Sequence, residues 1–214
     1  MAPASEQRVD DLVQTARSLD AVPKRGKTIF RRECRQCHGA DALGDKNRGI
    51  PALAGQRQAY LIRQLADFAE QDRDSAEMHG VLARRRLRQP QVWADVAAYL
   101  NGLPVNLKAE HGDGKYLELG EGVFREQCAS CHEEDARGDD DGFVPSLRNQ
   151  HYSYLVQQMH GLANDHRRNV DQELVLFLAN LQEDEMKGLA DYLSRMSGPV
   201  KDRLKMRDNG VVGD

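Results

Sequence analysis

Long apolar runs are missing from this chain: none of 18 or more residues occurs, so no membrane-spanning helix is encoded. Segments alternating apolar and polar residues with period two are missing as well, so strands are not expected and the fold class reads as all-α. There is no phosphate-binding glycine loop, no nucleophile elbow and no nucleic-acid module. The acidic run Asp139 to Asp141, followed by Gly142, lacks the spaced ligand set of an EF-hand, which argues against calcium. Apolar residues make up 40% of the chain and charged residues 30%, which leaves little material for a core. The opening residues, Met1 to Ser5, carry neither a basic n-region nor an apolar h-region, so a signal peptide is expected to be absent from this chain.

Cysteine is scarce too, and its placement is informative. All four cysteines fall in two copies of one pattern, Cys34-Arg35-Gln36-Cys37-His38 and Cys128-Ala129-Ser130-Cys131-His132. Cys-x-x-Cys-His is the attachment signal of a c-type haem: two thiols add to the two vinyl groups, and the histidine offers its imidazole to the iron. On a helix the three side chains stand at i, i+3 and i+4 and share a face, which suits one planar ligand. A thioredoxin-like redox pair needs a βαβ setting that is missing, and a zinc ribbon places its cysteine pairs about 15–20 residues apart, far closer than these. A disulfide closing only a three-residue step would add little loop entropy. The reading is two covalently attached haem c groups, each an apolar plate around which a small domain can fold. Because such attachment normally follows export, the expected location is the bacterial periplasm, with the signal peptide removed.

The two patterns are 94 residues apart, and a repeat follows them at the same offset. Gly26, Phe30, Gly44, Pro51, Leu53, Gln56 and Tyr60 recur as Gly120, Phe124, Gly138, Pro145, Leu147, Gln150 and Tyr154. Each copy ends on a Tyr-Leu pair, Tyr99-Leu100 and Tyr192-Leu193, now at an offset of 93. The expected organisation is an N-terminal helical extension over 1–22, a first cytochrome c domain over 23–104, a linker over 105–115, a second domain over 116–198 and a polar tail over 199–214. Val9, Leu12, Val13, Ala16 and Leu19 have helical spacing, so the extension is expected to pack on the first domain. Gly26 and Phe30 suit a close helix crossing with Tyr99 as the partner; Gly120, Phe124 and Tyr192 suit the same in the second copy.

The formal charge of −4 hides a division: residues 20–103 hold fifteen Lys/Arg against ten Asp/Glu, and residues 115–198 eight against sixteen. Opposite fields on the two halves can orient the molecule towards a partner, or be solvated faces without purpose. The same two readings apply to Arg84-Arg85-Arg86, Glu133-Glu134-Asp135 and Asp139 to Asp141.

Paired Cys-x-x-Cys-His domains, each followed by a Pro-x-Leu loop, a Gln-x-x-x-Tyr helix and an Ala-x-Tyr-Leu helix, resemble the cytochrome c4 family of tandem class I cytochromes c. The resemblance runs from Gly26 to Met196. It implies two all-α domains, each wrapped around one haem, and a periplasmic carrier of single electrons. It also implies that the carbonyls of Pro51 and Pro145 accept the second ring N–H of His38 and His132, which fixes the imidazoles. Met78 falls where the family pattern places the sixth ligand of the first iron, with His79 its nearest rival.

The second domain departs from that pattern. An offset of 94 carries Met78 to Gln172, with Glu173 beside it, and Met159 and Met186 read as core. His166 is the strongest substitute ligand, His160 a weaker one, and a site closed only by water, Gln172 or Glu173 is the other reading. The expected function is electron transfer between redox proteins such as a terminal oxidase, another cytochrome or a periplasmic dehydrogenase. The alternative is a haem enzyme or small-ligand sensor, or the cytochrome subunit of a dehydrogenase, with the second haem as the reactive site.

Overall fold

A computed structural model describes residues 4–164 and 170–196. The chain begins with α1 (Ala4–Ser18), whose Val9, Val13 and Ala16 are buried at helical spacing in the core of the first domain. Leu12 packs partly against the same core, while Leu19 lies past the helix end and is exposed. The amphipathic stripe therefore does what its spacing predicts, one turn shorter.

The first domain follows as α2 (Pro23–Glu33), α3 (Arg35–His38), α4 (Gln58–Glu70), α5 (Ala76–Leu82) and α6 (Pro90–Asn101). Pro23 opens α2 at a position where its missing N–H costs nothing. Helices α2 and α6 cross at Gly26, where an added Cβ would lie 1.9 Å from the carbonyl oxygen of Asp95. The ring of Phe30 closes the crossing against Tyr99, with centroids 5.7 Å apart. The fully buried Trp93 donates its indole N–H to Leu87 O at 2.7 Å, anchoring the turn before α6.

The second domain repeats this plan with α7 (Leu117–Val123), α8 (Ala129–His132), α9 (Tyr152–Ala163), α10 (Gln172–Asn180) and α11 (Glu183–Arg195). Gly120 meets Gly188 at the crossing of α7 with α11, and Phe124 meets Tyr192 at 5.7 Å. A single π-turn, Phe124–Cys128, joins α7 to α8 where the first domain has only a break at Cys34. Among the described residues there are no strands, only the isolated bridges Asp45–Ile50 and Asp139–Val144. Among the described residues no helix is long and apolar enough to cross a membrane.

The stretch expected to be a linker is tied to the second domain. Glu110 N–H donates to His151 Nδ1 at 3.2 Å, and Gly112 and Gly114 donate to the carboxylate of Asp191 at 2.9 and 2.8 Å. The polar tail over 199–214 lies outside the described residues.

Candidate haem sites

In each domain the cysteine–histidine pattern sits at the end of the first helix, and the chain then turns back on itself. Cys34 leaves α2 with φ −117° and caps α3, so the pattern spans a helix break. His38 N–H and Cys37 N–H both return to Cys34 O, at 3.1 and 3.2 Å. Beyond His38 the loop closes through Gly44 N–H to His38 O at 2.9 Å, the paired bonds of Asp45 and Ile50, and Leu53 N–H to Ala42 O at 2.8 Å. The second domain repeats each bond with Gly138, the Asp139–Val144 pair and Leu147.

This loop brings a proline carbonyl to the histidine. His38 Nδ1 is 3.3 Å from Pro51 O, and His132 Nδ1 is 3.0 Å from Pro145 O. A carbonyl only accepts, so Nδ1 carries the proton in both rings and Nε2 is left as the metal donor. Glycine is required for this approach: a Cβ on Gly44 would lie 2.3 Å from Ile50 O, and one on Gly138 2.4 Å from Pro145 O. Burial pushes both imidazoles below their ordinary pKa, against the carbonyl hydrogen bonds, which favours the neutral ring that binds a metal.

The four cysteines form no disulfide. Burial, with smaller contributions from Glu33 and Cys37, pushes the Cys34 thiol up to about 12; burial and Cys131 push Cys128 up to about 11. Cys34 and Met78 both border the first core, and Cys128 borders the second. The donor chemistry elsewhere also fits a haem. Two buried amide nitrogens, Nδ2 of Asn106 and of Asn149, have no acceptor among the described residues, and both line a pocket between the domains. Uncommitted N–H donors there match the carboxylate edge of a haem.

The expected sixth ligands divide. Met78 lies on α5, its N–H capped by Ser75 Oγ at 3.3 Å, and packs on the first core. Its rival His79 turns away, with Nε2 2.8 Å from Arg73 O and its ring edge-on to Phe68. In the second domain Asp171 caps α10 as Ser75 caps α5, and counting from the caps puts Leu174, not Gln172, opposite Met78. The constant offset fails here because the intervening loop differs in length. Met159 and Met186 are buried in the second core, and His160 Nε2 pairs with Glu183 at 3.2 Å. His166 lies outside the described residues.

Several residues that hold the two sites together escaped the sequence reading. Gln56 and Gln150 reach across the interface to the backbone of Ser146 and Ala52. Buried His151 uses both nitrogens, with Nε2 2.8 Å from Leu43 O in the first haem loop. Buried Arg73 lies over Phe68 and donates to Tyr154 Oη at 3.0 Å and Gln158 Oε1 at 2.7 Å. The recurrence of Gln56 as Gln150 and Tyr60 as Tyr154 was the available signal, but a repeat does not say which copy a side chain faces. The acidic run is also more than a solvated face: Asp140 caps α4 from the other domain, accepting from Ala59 N–H at 2.8 Å.

The sequence pattern of the Cytochrome c family matches residues 23–104 and 117–197. A thiosulfate dehydrogenase electron acceptor from Stutzerimonas stutzeri is 31% identical over 173 residues, 76% of this chain and 78% of that protein. Cytochrome c4 of Pseudomonas aeruginosa is 27% identical over 170 residues, 75% of this chain and 82% of that protein. The crystal structure of reduced recombinant cytochrome c4 from Pseudomonas stutzeri superposes with a TM-score of 0.73 at 25% identity, covering 83% of this chain and all of that one. Two matched domains, each with its cysteine pair, histidine and helical scaffold, place this chain in the cytochrome c family as a two-haem protein of the cytochrome c4 type.

Proposed function

We propose that the chain is an exported, periplasmic carrier that takes single electrons from a dehydrogenase and passes them to a terminal oxidase or another cytochrome. The first iron is held by His38 and Met78, the second by His132 with a non-methionine or open sixth position. The observation that carries this reading is the duplicated histidine–proline carbonyl pair, set on two domains that share a hydrogen-bonded interface. When bound, the haems supply a one-electron ferric/ferrous couple. The cysteines fix each macrocycle, and the Pro51 and Pro145 carbonyls orient the imidazoles and raise their basicity. Met78 offers a thioether, which favours ferrous iron and suits a carrier.

The relative that serves as a thiosulfate dehydrogenase electron acceptor supports a donor that oxidises a sulfur oxyanion. Surface charge supports an acidic face on one partner: Arg84 and Arg86 clamp Glu33 at 2.6 and 2.9 Å, beside Cys34. Their charges, with the Arg86 hydrogen bond foremost, hold the Glu33 carboxyl below its usual range. The net field next to the first haem pattern is therefore positive and long-ranged at low salt.

In stopped-flow mixing with a thiosulfate dehydrogenase and thiosulfate, both haems are expected to reduce, at a rate that falls as ionic strength rises. A protein that stays oxidised while the same enzyme reduces another acceptor contradicts this donor. A second reading, a reactive second haem, is favoured by Leu174 holding the place in α10 that Met78 holds in α5, and carbon monoxide binding at that haem alone would support it.

A further inference from the structure

Gln56 and Gln150 are 7–8% exposed and occupy equivalent places in the repeat, yet each serves the other domain. Gln150 accepts Ala52 N–H at its Oε1 and donates from Nε2 to Ala52 O, both at 2.9 Å. Gln56 does the same to Ser146, at 2.7 and 2.9 Å. Each side chain is braced at home, because Oε1 of Gln150 also accepts His151 N–H at 3.0 Å, and that of Gln56 accepts Arg57 N–H at 2.8 Å.

The target is not an arbitrary backbone group. Ala52 N–H belongs to the same peptide unit as Pro51 C=O, and that carbonyl accepts from His38 Nδ1. Ser146 N–H and Pro145 C=O form the matching unit before His132. Two continuous relays result: His38 Nδ1–H to the Pro51–Ala52 peptide to Gln150, and His132 Nδ1–H to the Pro145–Ser146 peptide to Gln56. An acceptor on a peptide N–H polarises that peptide and makes its carbonyl a stronger acceptor, so hydrogen bonds in such a chain reinforce one another.

We propose that Gln150 and Gln56 are crossed positioning residues: each sets the donor strength of the proximal histidine in the opposite domain, so that neither haem's potential is fixed by its own domain alone. A stronger bond at Nδ1 gives the imidazole more anionic character, which stabilises ferric iron and lowers the potential. This rests on the reading that His38 and His132 ligate the two irons.

The test is potentiometry of the full chain carrying both haems, with NMR of the His38 and His132 ring Nδ1–H protons in the reduced protein. In Gln150→Leu the ferric/ferrous equilibrium of the first haem should move roughly three- to tenfold towards ferrous, about 28–59 mV at 59 mV per tenfold for one electron. In Gln56→Leu the second haem should move instead. Because an apolar side chain can loosen the interface, Gln150→Asn and Gln56→Asn are measured beside them; each is one methylene too short to span the gap but keeps it polar. An upfield shift of the ring Nδ1–H proton, marking a weaker bond to the proline carbonyl, should accompany each rise in potential, on the crossed haem only. A shift in the haem of the mutated domain, equal shifts in both, or unchanged potentials in either pair of variants would overturn the proposal. Ring protons of His38 and His132 that lack the upfield ring-current shift of a haem ligand in the reduced, unmutated protein would strike the ligand assignment itself.

Discussion

Glu133 holds φ +67° and ψ +156°, a conformation that ordinarily belongs to glycine, and its counterpart Gly39 holds φ +80° and ψ +162°. The same exchange recurs twice: Gly49 and Gly55 have left-handed backbones, and so do Phe143 and Asn149 at the matching places. At these three places the second domain therefore stores strain that the first avoids, about 1–3 kcal/mol per such residue. Glu133 gains only an exposed pair with Arg137 at 3.3 Å, worth less than about 1 kcal/mol. Glu133→Gly is expected to stabilise the second domain by about 1 kcal/mol, net of the added freedom of the unfolded chain. Thermal unfolding should show a rise of about 2–4 °C for a chain this size, and an unchanged midpoint would refute the strain. These exchanges were visible in an alignment of the two copies, but a left-handed turn cannot be told from an ordinary loop substitution before the backbone is seen. The haem patterns were legible because their chemistry is local: two thiols and an imidazole within five residues. The carbonyls of Pro51 and Pro145 were legible only through family resemblance, since each lies thirteen positions beyond its histidine.

Within elements, the repeat conserves a crossing and a tether. At Gly120 an added Cβ would come within 2.0 Å of the Gly188 backbone, and backbone cannot step aside as a side-chain tip can. Gly120→Ala is expected to cost at least about 1–3 kcal/mol, the usual toll of overpacking, and to loosen α7 from α11. A denaturant midpoint equal to that of the parent protein would contradict the crossing. The tether is a buried aspartate on each domain's last helix that holds the chain entering its first. Asp95 accepts from Val22 N–H at 2.8 Å and pairs with Arg25; Asp191 accepts from Gly112 and Gly114 and pairs with Arg195 at 2.7 Å. Burial alone would raise both carboxyls, but these partners hold them below the ordinary range. A carboxyl lowered in the folded state binds its proton more readily when unfolded. Its contribution is therefore complete above the unfolded pKa near about 3.9 and is lost as pH falls through the folded value. Asp191→Asn should destabilise the second domain at neutral pH and flatten its loss of stability below about pH 4, where unfolded carboxylates take up protons. An unchanged acid profile would rule out the tether. Helix type and spacing were legible from period and from Gly26 and Gly120. The tethers were not, because Asp95 and Asp191 stand 96 residues apart and break the offset of 94.

At the scale of the molecule, two repeats face each other through bonds that are nearly symmetric and fillings that are not. Gln56 and Gln150 exchange equivalent bonds, whereas Phe143 packs into the first core beneath Arg17, whose guanidinium lies 4.8 Å above its ring, and Gly49 leaves room for Gln157. Helix α1 belongs to this arrangement, since it covers the first core and reaches Phe143. Hydrophobic spacing says which face of a helix is covered but not by what, so the interface stayed hidden while both cores were readable. Arginines stand beside the first haem pattern, whereas Glu133 and Asp135 after the second are paired with Arg137 and Arg148. The proposed difference between the two ligand sets would be the most consequential asymmetry, because it would decide whether the two haems form a plain relay. Visible and electron paramagnetic resonance spectra of the oxidised, reduced and carbon monoxide-treated protein, with Met78→Ala beside it, test this most directly. The expected result is one methionine-ligated haem that ignores carbon monoxide and opens to it in Met78→Ala, and a second haem with no methionine signature. Two methionine-ligated haems, or a Met78→Ala spectrum like that of the parent protein, would contradict it.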